Sequence, residues 1–167
     1  MVANTTNTLG LIPAGVGGVY GYRQELRAHP WLTLRIVVLT GLAGSAGAVL
    51  LLALPSSVFE TVAPWLILGA CLLVGTQPRI SRWLGARHPE GTERPDRTQL
   101  SPVTTFFVVL IGVYGGYFGA GAGVMMMATL ALGLDIDLRI ISALRTATLM
   151  ASNVVAGVVF IAIADID

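Results

Sequence analysis

From residue 101 to residue 134 the chain carries no charged side chain, yet it places glycine at positions 112, 115, 116, 119, 121, 123 and 133. Glycine costs roughly 1 kcal/mol relative to alanine in a helix interior, so a plain lipid-facing helix gains nothing by collecting it. Two arrangements recover the loss. As one continuous helix, Gly115, Gly119 and Gly123 would form a smooth stripe that a neighbouring backbone could approach closely. As two half-helices meeting over residues 119–123, the glycines would form the break itself. Length favours the second arrangement, because about 20 residues already span the hydrocarbon core and residues 102–133 exceed that. A break at membrane depth is tolerated only where protein or a cavity surrounds it, and the start of a half-helix points free N–H groups at an entering anion. A dinucleotide-binding loop is excluded, since no strand precedes the glycines and no acidic partner follows about 20 residues on.

The flanking sequence belongs in a bilayer. Of 167 residues 54% are hydrophobic and 11% charged, and the mean hydropathy of +0.78 exceeds what a soluble domain of this size carries. Lysine is absent, so the ten cationic side chains are all arginine, and nine carboxylates bring the net charge to +1. That balance excludes nucleic acid as a partner. The single cysteine, Cys71, lies in an apolar run and reads as a small side chain facing lipid or core. The opening MVANTTNTLG has no basic stretch of the kind that starts a secretory signal.

Five apolar segments emerge in an all-α, polytopic membrane pattern. The first, residues 2–22, is weakened by Asn4, Thr5, Thr6, Asn7 and Thr8, which must face protein or water. The second, residues 31–54, contains GLAGSAGA, a surface of small residues suited to close helix contact. The third, residues 57–76, opens with Ser57 and Glu60 at the spacing of a capping box, which accounts for that carboxylate without a proton-carrying role. The Gly-rich stretch is the fourth and residues 138–164 the fifth. Residues 77–100 hold five arginines, three carboxylates and three prolines and read as a solvated connection. His29 and His88 sit in polar loops without a second ligand at metal spacing, so no metal or other cofactor is expected.

Arg23, Arg27 and Arg35 flank the first loop and five more arginines fill the long one, whereas residues 55–60 have none. The positive-inside rule puts both Arg-bearing loops in the cytoplasm. Arg139 and Arg145 obey the same rule if the Gly-rich stretch is a hairpin entering and leaving on one side, and break it if the stretch crosses. Sliding the chain by 140 residues aligns Ala3 with Ala143, Thr6 with Thr146, Thr8 with Thr148, Leu9 with Leu149, Gly17 with Gly157 and Val19 with Val159. First and last segments then become equivalent helices of two repeats, a plan common in secondary transporters. The resulting division is residues 1–76 for the remainder of a first repeat, 77–101 for a cytoplasmic linker and 102–167 for the start of a second. On this plan the first repeat lacks a hairpin and the second lacks its last helices, the pattern expected of an interior portion of a longer protein or of a truncated gene product, with a homo-oligomer or a complementing half as the expected protein partner.

GVYGGYFGAGAGVMMMATLALGL at residues 112–134, followed by ALRTATLMASNVVAGVVF at residues 143–160, resembles the second-half signature of the sulfite exporter TauE/SafE family, also called the toluene sulfonate uptake permease family. ANTTNTLGLIPAGVGGVYGYRQEL at residues 3–26 resembles its first-half helix, ending in the pair Tyr22 and Arg23. The resemblance implies a multi-pass carrier of small sulfur-containing or carboxylate anions in the cell's plasma or inner membrane. Where the family often has a proline-leucine pair after the glycines, this chain has Met125, Met126, Met127 and Ala128, which read as conformable packing.

An anion leaving water needs replacement donors. The candidates at depth are the backbone amides around Gly119, Gly121 and Gly123, the hydroxyls of Thr146 and Thr148, and the amide of Asn153, with Asn7, Thr6 and Thr8 as the facing wall. Arg145 is the deepest charge and either attracts the anion or reaches out to the interface. The expected function is secondary transport of small anions such as sulfite or organosulfonates by alternating access. The alternative is a helical subunit that docks a partner without moving substrate. An intramembrane enzyme would need paired carboxylates, a Ser/His pair or a metal cluster at depth, and none is present in the sequence.

Overall fold

The computed structural model describes residues 2–87 and 99–163. Their regular elements are all helices: α1 (Val2–Gly21), α2 (Arg23–Ala28), α3 (Pro30–Ala53), α4 (Ser56–Arg87), α5 (Pro102–Tyr117), α6 (Ala122–Gly133) and α7 (Leu138–Ile163). Three stretches combine the length and hydropathy of a membrane crossing: α3, Ser57–Ile80 within α4, and Leu138–Val159 within α7. The 24 residues of α3 reach about 36 Å, more than the ~30 Å hydrocarbon core. By the same arithmetic the 16 residues of α5 and 12 of α6 reach only about 24 and 18 Å.

Local chemistry sets the ends of the α5–α6 pair. Ser101 caps α5, its Oγ accepting from the Thr104 amide at 3.1 Å, and Pro102 occupies the first turn, where a missing N–H costs nothing. The helix stops at Tyr117 because the chain turns through Gly119 and Gly121, whose φ values of +82° and +77° lie in the left-handed region that glycine enters without steric cost. It then reverses. Gly133 packs against Thr104 at one end of the pair and Gly115 against Ala122 at the other, so α5 and α6 are antiparallel.

α3, α5 and α7 form the packed centre. Gly44 of α3 touches both Gly116 of α5 and Ser152 of α7, and a Cβ on Gly47 or Gly116 would overlap the carbonyl oxygen of Val113 or Gly44. Backbone against backbone at such range leaves no room for any side chain. Ser152 Oγ adds a buried hydrogen bond to Thr40 O at 3.2 Å. Leu32, Ile36, Val108, Met126, Leu130, Ile141 and Leu144 complete the core, with Met125 and Met127 packed on it. α1 lies on α7 and runs against it, Gly18 facing Thr146, Gly15 facing Met150 and Leu9 facing Gly157. α4 stands at the edge, Phe59 meeting Tyr117 and Phe118 with ring centroids 6.1 and 6.4 Å apart.

These directions gather the ends of α1 and α4, the starts of α3 and α7 and the base of the α5–α6 pair at one end of the bundle. Arg23, Arg27, Arg35, Arg79, Arg82 and Arg139 therefore share that end. There Glu25 of α2 accepts from Arg139 Nε at 2.6 Å.

Four features differ from the sequence reading or decide between its alternatives. α4 does not stop near residue 76 but continues through Pro78 to Arg87, so the connection begins as helix; residues 88–98, with His88, lie outside the described residues. The capping box of Ser57 and Glu60 is not formed, because α4 begins at Ser56 and draws both residues inside the helix. The six-residue α2, RQELRA, is too short for apolar periodicity to reveal. Gly115, Gly119 and Gly123 make no continuous stripe, since Gly119 falls in the turn.

Candidate functional site

Within the turn, the amides of Phe118 and Gly119 both bond to Tyr114 O at 2.9 and 3.2 Å, and Ala122 N bonds to Gly119 O at 3.2 Å. Val124 and Met125 N share Gly121 O at 3.0 and 3.3 Å. The amides of Ala120, Gly121 and Gly123 have no hydrogen-bond partner among the described residues. Tyr114 braces the turn from behind, its hydroxyl donating to Ala120 O at 2.7 Å. A helix start with unspent amides carries about half a positive charge.

The turn forms one wall of a cavity of about 400 Å³, with Phe118, Gly119, Ala120 and Gly123 on that side. α7 supplies Arg145, Thr146, Leu149, Met150, Ser152 and Asn153, and α1 supplies Asn7, Thr8, Leu11, Ala14 and Gly15. Arg145 is its single charged group among the described residues. The guanidinium lies over the first turn of α6, where a Cβ on Gly123 would come 3.2 Å from Nε and 3.7 Å from Cζ. Nε is buried and has no hydrogen-bond partner. The cavity thus combines one unneutralised cation, free amides and neutral polar side chains with an apolar remainder, a set of donors suited to an anion.

Seven of the ten residues expected from the sequence line this cavity: Gly119, Gly123, Arg145, Thr146, Asn153, Asn7 and Thr8. Thr146 Oγ1 meanwhile donates to Ser142 O at 2.9 Å, so its proton reaches an anion only after rotation. The other three lie elsewhere. Gly121 faces α4, a Cβ there meeting Leu73 Cδ2 at 3.2 Å and Ala70 Cα at 3.7 Å. Thr148 is 1% exposed and its hydroxyl donates to Arg145 O at 2.8 Å. Thr6 is exposed and outside the lining. Sequence reasoning missed Ser152, Phe118 and the brace from Tyr114; neither aromatic carries a periodic signal, while Ser152 stands next to Asn153.

Behind the turn a second, almost wholly apolar groove of about 640 Å³ separates α4 from the α5–α6 pair, lined by Trp65, Leu66, Phe107, Leu110, Tyr114 and Met125 among others. Among the described residues no three His, Cys, Asp or Glu side chains come together as a metal site would require.

Compared with known families, the chain matches the model described as sulfite exporter TauE/SafE over residues 1–167. No curated protein and no solved structure matches it.

Proposed function

The chain belongs to the sulfite exporter TauE/SafE family of membrane transporters, and from that premise we propose that it is a secondary carrier of small anions, sulfite and organosulfonates among them, working by alternating access. The observation that carries the reading is the cavity at the helix turn, where Arg145, the unspent amides of Ala120 and Gly123, and the side chains of Asn7 and Asn153 converge. Gly119 and Gly123 let the backbone approach the anion, Thr146 joins after rotating its hydroxyl, and Gly121 serves as the hinge rather than the wall. A subunit that only docks a partner gains nothing from polar groups of three helices meeting at one point.

The antiparallel α5–α6 pair supports a re-entrant hairpin, since both helices are shorter than the core and the turn lies about 18 Å above the base of the pair. A hairpin inverts the second repeat relative to the first, and the antiparallel packing of α1 on α7, the two segments matched by the 140-residue shift, agrees with inverted repeats. On this reading residues 1–76 and 102–167 belong to the two repeats, with 77–101 between them. The arginines collected at one end of the bundle face the cytoplasm of a cell with the protein in its inner membrane.

Purified protein in liposomes tests the carrier reading. Labelled sulfite or methanesulfonate should enter with saturable kinetics, and Arg145→Gln should remove the saturable part. Uptake no greater than in protein-free liposomes would overturn it.

A further inference from the structure

We infer that the transported species bears a single negative charge and that the protein moves it chiefly by exchange, the filled site crossing far more readily than the empty one. This rests on the carrier reading and adds to it the charge class of the substrate and the mode of transport.

The argument starts from the charge inventory of the cavity. Among the described residues Arg145 is the only ionised group in the lining, and the other polar side chains there, Asn7, Thr8, Thr146, Ser152 and Asn153, are neutral. No acid of the described residues pairs with it: Glu25 is taken by Arg139, and Asp137 accepts from the Arg139 amide at 2.9 Å. Its Nε is buried without a partner. The first turn of α6, against which it rests, adds partial positive charge rather than relief.

Neutrality at membrane depth then selects the ligand. A monoanion beside Arg145 leaves no net charge, whereas a dianion leaves one negative charge and an empty site one positive charge. Either uncompensated state is costly in the bilayer. A lysine or histidine could lose its proton and cross neutral, but a guanidinium cannot. The return of the empty carrier is therefore the slow step. A second anion bound from the opposite side removes that barrier, and exchange outruns net movement. The empty carrier also carries charge through the field, which the loaded one does not.

The full chain in liposomes, with labelled methanesulfonate outside, tests both parts. Methanesulfonate is a fixed monoanion, and sulfate is a dianion of similar size. Uptake into vesicles filled with methanesulfonate should exceed uptake into vesicles filled with zwitterionic buffer by at least about tenfold, a modest share of what an uncompensated arginine costs at depth. An imposed membrane potential should change the second rate and leave the first unaltered, and sulfate should compete at least about tenfold more weakly than methanesulfonate. Arg145→Lys should weaken the preference for exchange, because lysine can shed its proton, and Arg145→Gln should erase it in whatever flux remains. Equal rates in the two loadings, sulfate competing as well as methanesulfonate, or an unchanged preference in Arg145→Gln would overturn the inference. Absence of flux in both loadings would instead overturn the carrier reading beneath it.

Discussion

Gly121→Val is the sharpest test of the turn, because the structure supplies each term of the expected effect. Gly121 precedes α6 at φ +77° and ψ −5°. An L residue in that region costs roughly 1–2 kcal/mol, and a β-branched one is a genuine outlier there. The new Cβ would lie 3.2 Å from Leu73 Cδ2, so α4 must yield by a few tenths of an ångström. The competing conformation is a straightened helix through residues 118–121, in which valine is better than glycine by about 0.4 kcal/mol. Together these terms bias the variant against the turn by about 2–3 kcal/mol, and at tenfold per 1.4 kcal/mol the ratio of turned to straightened backbone falls about 30- to 150-fold. Saturable methanesulfonate uptake per unit of carbonate-resistant, membrane-inserted protein should fall accordingly, with insertion itself unchanged. Gly17→Ala is the control, since a Cβ there meets nothing within 4 Å. Uptake by Gly121→Val within about threefold of the parent protein would refute the reasoning, because so small a loss corresponds to well under 1 kcal/mol.

Tyr114→Phe removes the 2.7 Å bond to Ala120 O and keeps the ring packed on Phe118 at 6.1 Å; about 1 kcal/mol of bracing should be lost, seen as a several-fold fall in uptake with a small drop in melting temperature. Gly116→Ala places a methyl group on the Gly44 carbonyl, where backbone must move rather than a flexible side chain, so thermal unfolding in detergent should show a loss of at least about 1–3 kcal/mol. The Glu25–Arg139 pair should respond asymmetrically, because Arg139 is 74% exposed and Glu25 only 12%. Arg139→Gln leaves a buried carboxylate unpaired and should lower the melting temperature more than Glu25→Gln, which frees an arginine to hydrate; the buried group sets the difference at roughly 1–3 kcal/mol. Equal effects would show that the pair is no more than a surface contact.

What the sequence revealed and what it hid follow from the same helix geometry. The long apolar runs reappear as α1, α3 and α7 within a residue or two at most ends, because length and hydropathy alone define such helices. The turn was legible because residues 102–133 exceed one crossing and Gly121 adds nothing to a stripe of Gly115, Gly119 and Gly123. The overrun of α4 was not, because polar residues after Gln77 mark where the segment leaves the apolar layer, not where its hydrogen bonding ends. The placement of the threonines was readable but went unread. Positions 146 and 148 are about 200° apart on a helix and cannot both face one cavity, whereas 146, 149, 150 and 153 lie on one face, and those four line it. The same period separates Asn7 and Leu11 of α1, which line it, from Thr6, which does not.

Arg145 was the one residue whose side the sequence left open, and packing decides it. A long arginine side chain eight residues into α7 could extend toward the arginine-rich end of the bundle. It lies instead across Gly123, and it can do so because Gly123 has no side chain: a Cβ would come 3.0 Å from Leu149 Cδ1 and 3.2 Å from Arg145 Nε. The glycine that leaves an amide free at the start of α6 therefore also makes the shelf on which the guanidinium rests. Gly123 and Arg145 both line the cavity, and both donors are positive, so neither satisfies the other. Two like-signed groups held together by packing, with no acid of the described residues between them, form an arrangement whose lowest-energy partner is an anion from outside the protein.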